Sequence, residues 1–94
     1  MRATRTISVV IKGRVQGVSY RAWTQSEARA RHLRGTVRNC ADGSVEAVFS
    51  GQPEAVAQME TLCWSGPPGA RVTDVAVCER DDAPAVDGFQ ILRG

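Results

Sequence analysis

The sequence predicts an α+β fold of split β-α-β type, running β-α-β-β-α-β with a short final strand. Two helices are expected on one face of an antiparallel sheet. Three observations carry this expectation. Apolar and polar residues alternate near the start of the chain, and a glycine turn then leads into a stretch of helix-forming residues. Two β-branched segments flank Asp42-Gly43, a strong hairpin signal. A second helical stretch opens near Pro53 and is followed by another alternating segment.

In order along the chain, Thr6 to Lys12 sets Ile7, Val9 and Ile11 against Ser8, Val10 and Lys12, the period of a strand. A turn holding Gly13 and Gly17 follows. From Tyr20 to Arg31 alanine, arginine, glutamate and glutamine favour helix, with Trp23, Ala30 and Leu33 expected on one side. Gly35 closes that unit. Residues 36–41 and 44–50 read as two hairpin strands joined at Asp42-Gly43. Pro53 suits the first turn of the second helix, where Val56, Met59 and Cys63 recur at helical spacing. Gly66-Pro67-Pro68-Gly69 ends it. Arg71 to Glu79 is a strand carrying Val72, Val75 and Val77, then a polar loop leads to a last strand, Phe89 to Leu92. Two interlocked βαβ halves of this kind make the ferredoxin-like superfold, which hosts many activities and decides none.

At 94 residues the chain suffices for a single domain, 1–94, with one modest core. The N-terminus offers only a short apolar run, so neither a signal core nor a membrane span is expected, and a cytoplasmic location is the default. Cys40, Cys63 and Cys78 make an odd count without pairwise spacing. That argues against a disulfide framework and a zinc site; reduced, mostly buried thiols are expected. Charge is lopsided. Residues 1–39 hold nine basic side chains and one acid, a net +8, whereas residues 40–94 hold three arginines and nine acids, a net −6. Such asymmetry suggests a positive surface that attracts an anion, although scattered arginines on a solvated helix face would account for Arg29 and Arg31.

The informative stretch is Gly13-Arg14-Val15-Gln16-Gly17-Val18-Ser19-Tyr20-Arg21, between a strand and a helix N-terminus. Backbone N–H groups there lack internal partners, and the helix dipole adds positive potential. Glycines let such a loop curl its amides into an anion-binding nest, with Gly17 best suited to positive φ. Arg21 falls in the first helical turn, where a cation is disfavoured unless an anion shares it. Its planar fork matches two phosphate oxygens. The bland alternative is a tight turn with a surface arginine. A P-loop is excluded because no Gly-Lys-Ser/Thr follows, and a dinucleotide fingerprint because the glycine spacing is wrong.

A second element is Asn39, on the strand that follows the first helix; its carboxamide can donate to an oxygen and accept from a water. Alternatively Asn39 caps the hairpin ahead of Asp42-Gly43. Cys40 as a phosphatase nucleophile would want an arginine six positions on, where Glu46 stands. His32, the one histidine, lies about 11 residues and so roughly 16 Å along the helix from Arg21, too far to act with it.

Taken together, Gly13 to Arg21, then Val37-Arg38-Asn39, then Asp42-Gly43-Ser44-Val45-Glu46 resemble the acylphosphatase family. Gly66 to Val72 and Gly88-Phe89-Gln90-Ile91 extend the similarity over essentially the whole chain. The resemblance implies hydrolysis of small acyl phosphates to carboxylate and inorganic phosphate, without cofactor or metal. Arg21 would bind phosphate with the amides of Val15, Gln16, Gly17, Val18, Ser19 and Tyr20, and Asn39 would hold the attacking water. Inorganic phosphate or sulfate would be a ligand; a monomer is the default, with neither nucleic acid nor membrane as partner. An RNA-binding module on this superfold would stack bases on strand aromatics, and the central strands supply only Phe49. A module keeping the anion site without turnover is the other rival. Two departures concern packing. Thr36 stands where the family has a large aromatic, and His32 takes a place that wants left-handed backbone.

Overall fold

The computed structural model describes residues 4–93. Among them the elements run β1 (Arg5–Arg14), α1 (Tyr20–Ala30), β2 (Arg34–Asn39), β3 (Val45–Gly51), α2 (Pro53–Ser65), β4 (Arg71–Arg80) and β5 (Phe89–Ile91). The strand order is β4-β1-β3-β2-β5. The first four strands are antiparallel neighbours, but β5 pairs parallel to β2, with Gly35 opposite Phe89 and Val37 opposite Ile91. The expected antiparallel sheet is therefore a mixed one. The chain crosses from β4 at one edge to β5 at the other, and that crossing brings β5 in alongside β2 in the same direction.

The alternation read in β1 holds: Ile7, Val9 and Ile11 are fully buried and pack with Val37, Val45, Ala47 and Phe49 into one core beneath both helices. Removing each of these side chains except Ala47 from water contributes about 1.5–3 kcal/mol. In α2, Val56, Met59 and Cys63 face that core as expected, and Pro53 occupies the first turn. The buried face of α1 differs from expectation. It is formed by Tyr20, Thr24 and Ala28, while Ala30 is exposed and Trp23 only packs at the margin. Thr24 can face the core because its hydroxyl donates to the Tyr20 carbonyl at 2.8 Å. A polar residue so satisfied was invisible to an apolar count.

Two turns flank β2, the strand that ends in Asn39. After α1, His32 takes φ 57. The Leu33 N–H reaches the Ala28 carbonyl at 2.9 Å and the His32 N–H that of Arg29 at 3.1 Å, a full Schellman closure around a histidine. The β2–β3 connection is wider than a two-residue hairpin, since Asn39 pairs with Val45 and residues 40–44 lie between. Asp42 holds this turn by accepting from the Ser44 N–H at 3.0 Å and the Ser44 hydroxyl at 2.6 Å. Those bonds, the hydroxyl's first, hold the Asp42 carboxyl below its ordinary pKa.

Candidate active site

Strand β1 ends in a bulge between Lys12 and Gly13, and the chain then turns into α1 through Gly17 at φ 76 and Ser19 at φ 65. Positive φ at Gly17 and Ser19 is the kind of backbone geometry that lets a loop curl its N–H groups into an anion-binding nest. A Cβ at Gly17 would meet nothing within 4 Å, so it is the positive φ, not space, that favours glycine. The α1 N-terminus has neither a side-chain cap nor an acid in its first turn. Among the described residues no side chain caps its amides or offsets its dipole.

This junction opens on a groove of about 700 Å³. Val15, Gly17, Ser19, Tyr20 and Arg21 line it from the loop and helix, and Asn39 lines it from the end of β2. Ala22, Ile91 and Arg93 complete the wall, and no acidic residue is among them. Arg21 and Asn39, 18 positions apart in sequence, are thus brought to one cavity. The side chains of Gln16 and Val18 are engaged elsewhere. Val18 packs against the core, and the Gln16 side chain donates from Nε2 to the Cys40 and Ser44 carbonyls, each at 2.8 Å. Gln16 therefore ties the loop to the turn that follows Asn39. Nothing in the sequence marks that role, because both acceptors are main-chain atoms.

Ala22, Ile91 and Arg93 are the groove-lining residues that sequence reasoning missed. The available signal was weak: an arginine just beyond a strand predicted to end the fold.

Asn39 does not cap the hairpin; Asp42 does. The Asn39 Oδ1 is buried without a hydrogen-bond partner among the described residues. A buried acceptor left unmet costs about 1–3 kcal/mol. At the other end of the loop, Tyr20 is fully buried and donates its hydroxyl to the Cys63 carbonyl, anchoring the start of α1 to the end of α2. Burial, with Cys63 alongside, pushes the Tyr20 phenol well up, and burial pushes the Cys63 thiol up to about 12. Neither is a nucleophile at neutral pH. Of the three thiols only Cys63 is buried, for Cys40 is half-buried and Cys78 exposed on the edge strand, which corrects the expectation of mostly buried cysteines. Among the described residues no group of three or more His, Cys, Asp or Glu comes together to hold a metal.

The acylphosphatase family profile matches residues 7–91, most of the chain. The chain belongs to the acylphosphatase family. An acylphosphatase of Rhizobium meliloti (strain 1021) is 51% identical over 90 residues, covering 96% of this chain and 95% of its own. The solved acylphosphatase of Coxiella burnetii superposes with a TM-score of 0.90 at 30% identity, over 96% of this chain and 94% of that one. That of Bacillus subtilis gives 0.89 at 34%, over 94% and 98%. The acylphosphatase match spans the groove-lining loop, Asn39 and β5, and stops two residues short of Arg93.

Proposed function

We propose that this acylphosphatase hydrolyses small acyl phosphates in the groove at the start of α1. Arg21 and the loop amides from Val15 to Tyr20 hold the phosphoryl group, and Asn39 places the attacking water. The observation that carries this reading is the meeting of Arg21 and Asn39 in one acid-free groove over an uncapped helix N-terminus. Phosphoryl transfer needs positioning and charge stabilisation more than covalent chemistry. Water attacks phosphorus in line, the bond from phosphorus to the acyl oxygen breaks, and the carboxylate leaves with that electron pair. A carboxylate needs no general acid to depart, and a phosphoryl oxygen of the substrate takes the water's proton. Because Oδ1 of Asn39 is unpaired where it lies, little opposes a turn about χ2 that offers it to a water in the groove.

The same reading takes residues 1–94 as one domain, acting as a cytoplasmic monomer that needs no resident metal. The unpaired state of all three cysteines suits a reducing compartment. Stacking of RNA bases is disfavoured because Phe49 and Phe89 stack on each other in the core at 5.5 Å, leaving neither ring to a ligand. In a hydrolysis assay, benzoyl phosphate and acetyl phosphate should turn over equally well with and without EDTA, and inorganic phosphate should inhibit competitively. Phosphate binding without turnover would leave the inactive anion module; loss of activity in EDTA would sink the metal-free mechanism.

A further inference from the structure

We infer that Arg93 is a second phosphate-binding cation, working across the groove from Arg21. This rests on the reading of the groove as a phosphate site and adds a residue to it. Pairing between β2 and β5 continues one residue past the last strand position: the Leu92 N–H donates to the Val37 carbonyl at 2.9 Å. Since Val37 stands opposite Ile91 in a parallel register, continuing that register sets position 93 beside Asn39. Arg93 lines the groove together with Arg21 and Asn39.

Its charge also meets no acid among the described residues. Neighbouring arginines are engaged: Arg29 donates to the Phe89 carbonyl, Arg34 to the Pro84 and Val86 carbonyls, and Arg38 to Glu46. Neither Arg21 nor Arg93 has a hydrogen-bond or ion-pair partner among the described residues. Arg14 and Arg71 are likewise unpaired, but they face each other across β1 and β4, outside the groove. Two guanidiniums lining one groove, with no acidic partner among the described residues, raise its positive potential until an anion arrives. The phosphoryl group of an acyl phosphate approaches two negative charges near neutrality, and one arginine neutralises one of them. A second, exposed arginine beside Asn39 supplies the rest and draws the dianion in.

The test compares wild type with Arg93→Gln, Arg93→Lys and Arg71→Gln, measuring inorganic phosphate affinity by calorimetry and benzoyl phosphate kinetics at two salt concentrations. Arg93→Gln should weaken phosphate binding and raise KM about five-fold, the scale of an exposed ion pair, with kcat within about two-fold. Arg93→Lys should recover most of that loss, and the salt dependence of phosphate affinity should flatten in Arg93→Gln. Arg71→Gln, which removes the same charge outside the groove, should change neither quantity. Phosphate affinity in Arg93→Gln indistinguishable from wild type, or an equal loss in Arg71→Gln, overturns the inference. Should wild type bind phosphate yet hydrolyse nothing, the proposed activity fails, while the calorimetric comparison still decides the role of Arg93.

Discussion

Arg21 carries a positive charge into the first turn of α1, the end where the dipole least favours one. With no anionic partner among the described residues, its guanidinium is held at a local electrostatic cost that a bound phosphate would relieve. Arg21→Lys keeps the charge and loses the fork, so phosphate binding should weaken by about 1.5–3 kcal/mol. Titration calorimetry with inorganic phosphate reads this directly, and affinity within two-fold of wild type would count against the assignment. Asn39→Ala should separate from it by lowering kcat while leaving phosphate affinity nearly unchanged. Because the substitution also removes an orphaned acceptor, the variant should melt no lower than wild type. Equal losses of turnover and affinity would contradict a water-placing role.

The elements that carry these residues are held by a few cross-links. Gln16 joins the β1–α1 loop to the β2–β3 turn, and Tyr20 joins the start of α1 to the end of α2. The Gln16 clasp fixes how far the loop amides stand from Asn39. Gln16→Ala removes two partly buried hydrogen bonds worth about 0.5–1.5 kcal/mol each and loosens that spacing. Urea denaturation should show a loss of about 1–3 kcal/mol, and kcat should fall more than the stability loss alone explains at a temperature where the variant is folded. A variant as stable and active as wild type would show that the clasp is incidental. Much of the element order was legible because β-branched alternation, Pro53 and the glycine punctuation are local signals. His32 was legible too, as a position that wants left-handed backbone. The face of α1 was not, since Thr24 is buried only by virtue of its bond to the Tyr20 carbonyl.

For the whole molecule, the core sets a pH limit. Cys63 and Tyr20 both lie in it, and burial raises the pKa of each. Above about pH 9 the unfolded chain releases the Cys63 proton while the folded chain keeps it up to about 12. The folded state then binds more protons, so stability is full below that range and falls as pH rises, with a limiting slope of about 1.4 kcal/mol per pH unit per group. Thermal melts between pH 7 and 10.5 should show this decline, and Cys63→Ala should melt lower at neutrality but with a shallower alkaline fall. An unchanged slope in that variant would show that other groups control the alkaline limit. Reaction with iodoacetamide at pH 8 should find Cys78 and spare Cys63.

The order of elements and the loop that carries Arg21 could be read from local chemistry and short motifs, and Asn39 was named as its candidate partner through the family resemblance. Only the tertiary structure decided that β5 joins the sheet in parallel, that Gln16 is a clasp, and that Arg93 reaches the groove. The reason is physical. Main-chain acceptors are the same in every sequence, and the position of a residue beyond the last strand depends on which edge that strand joins.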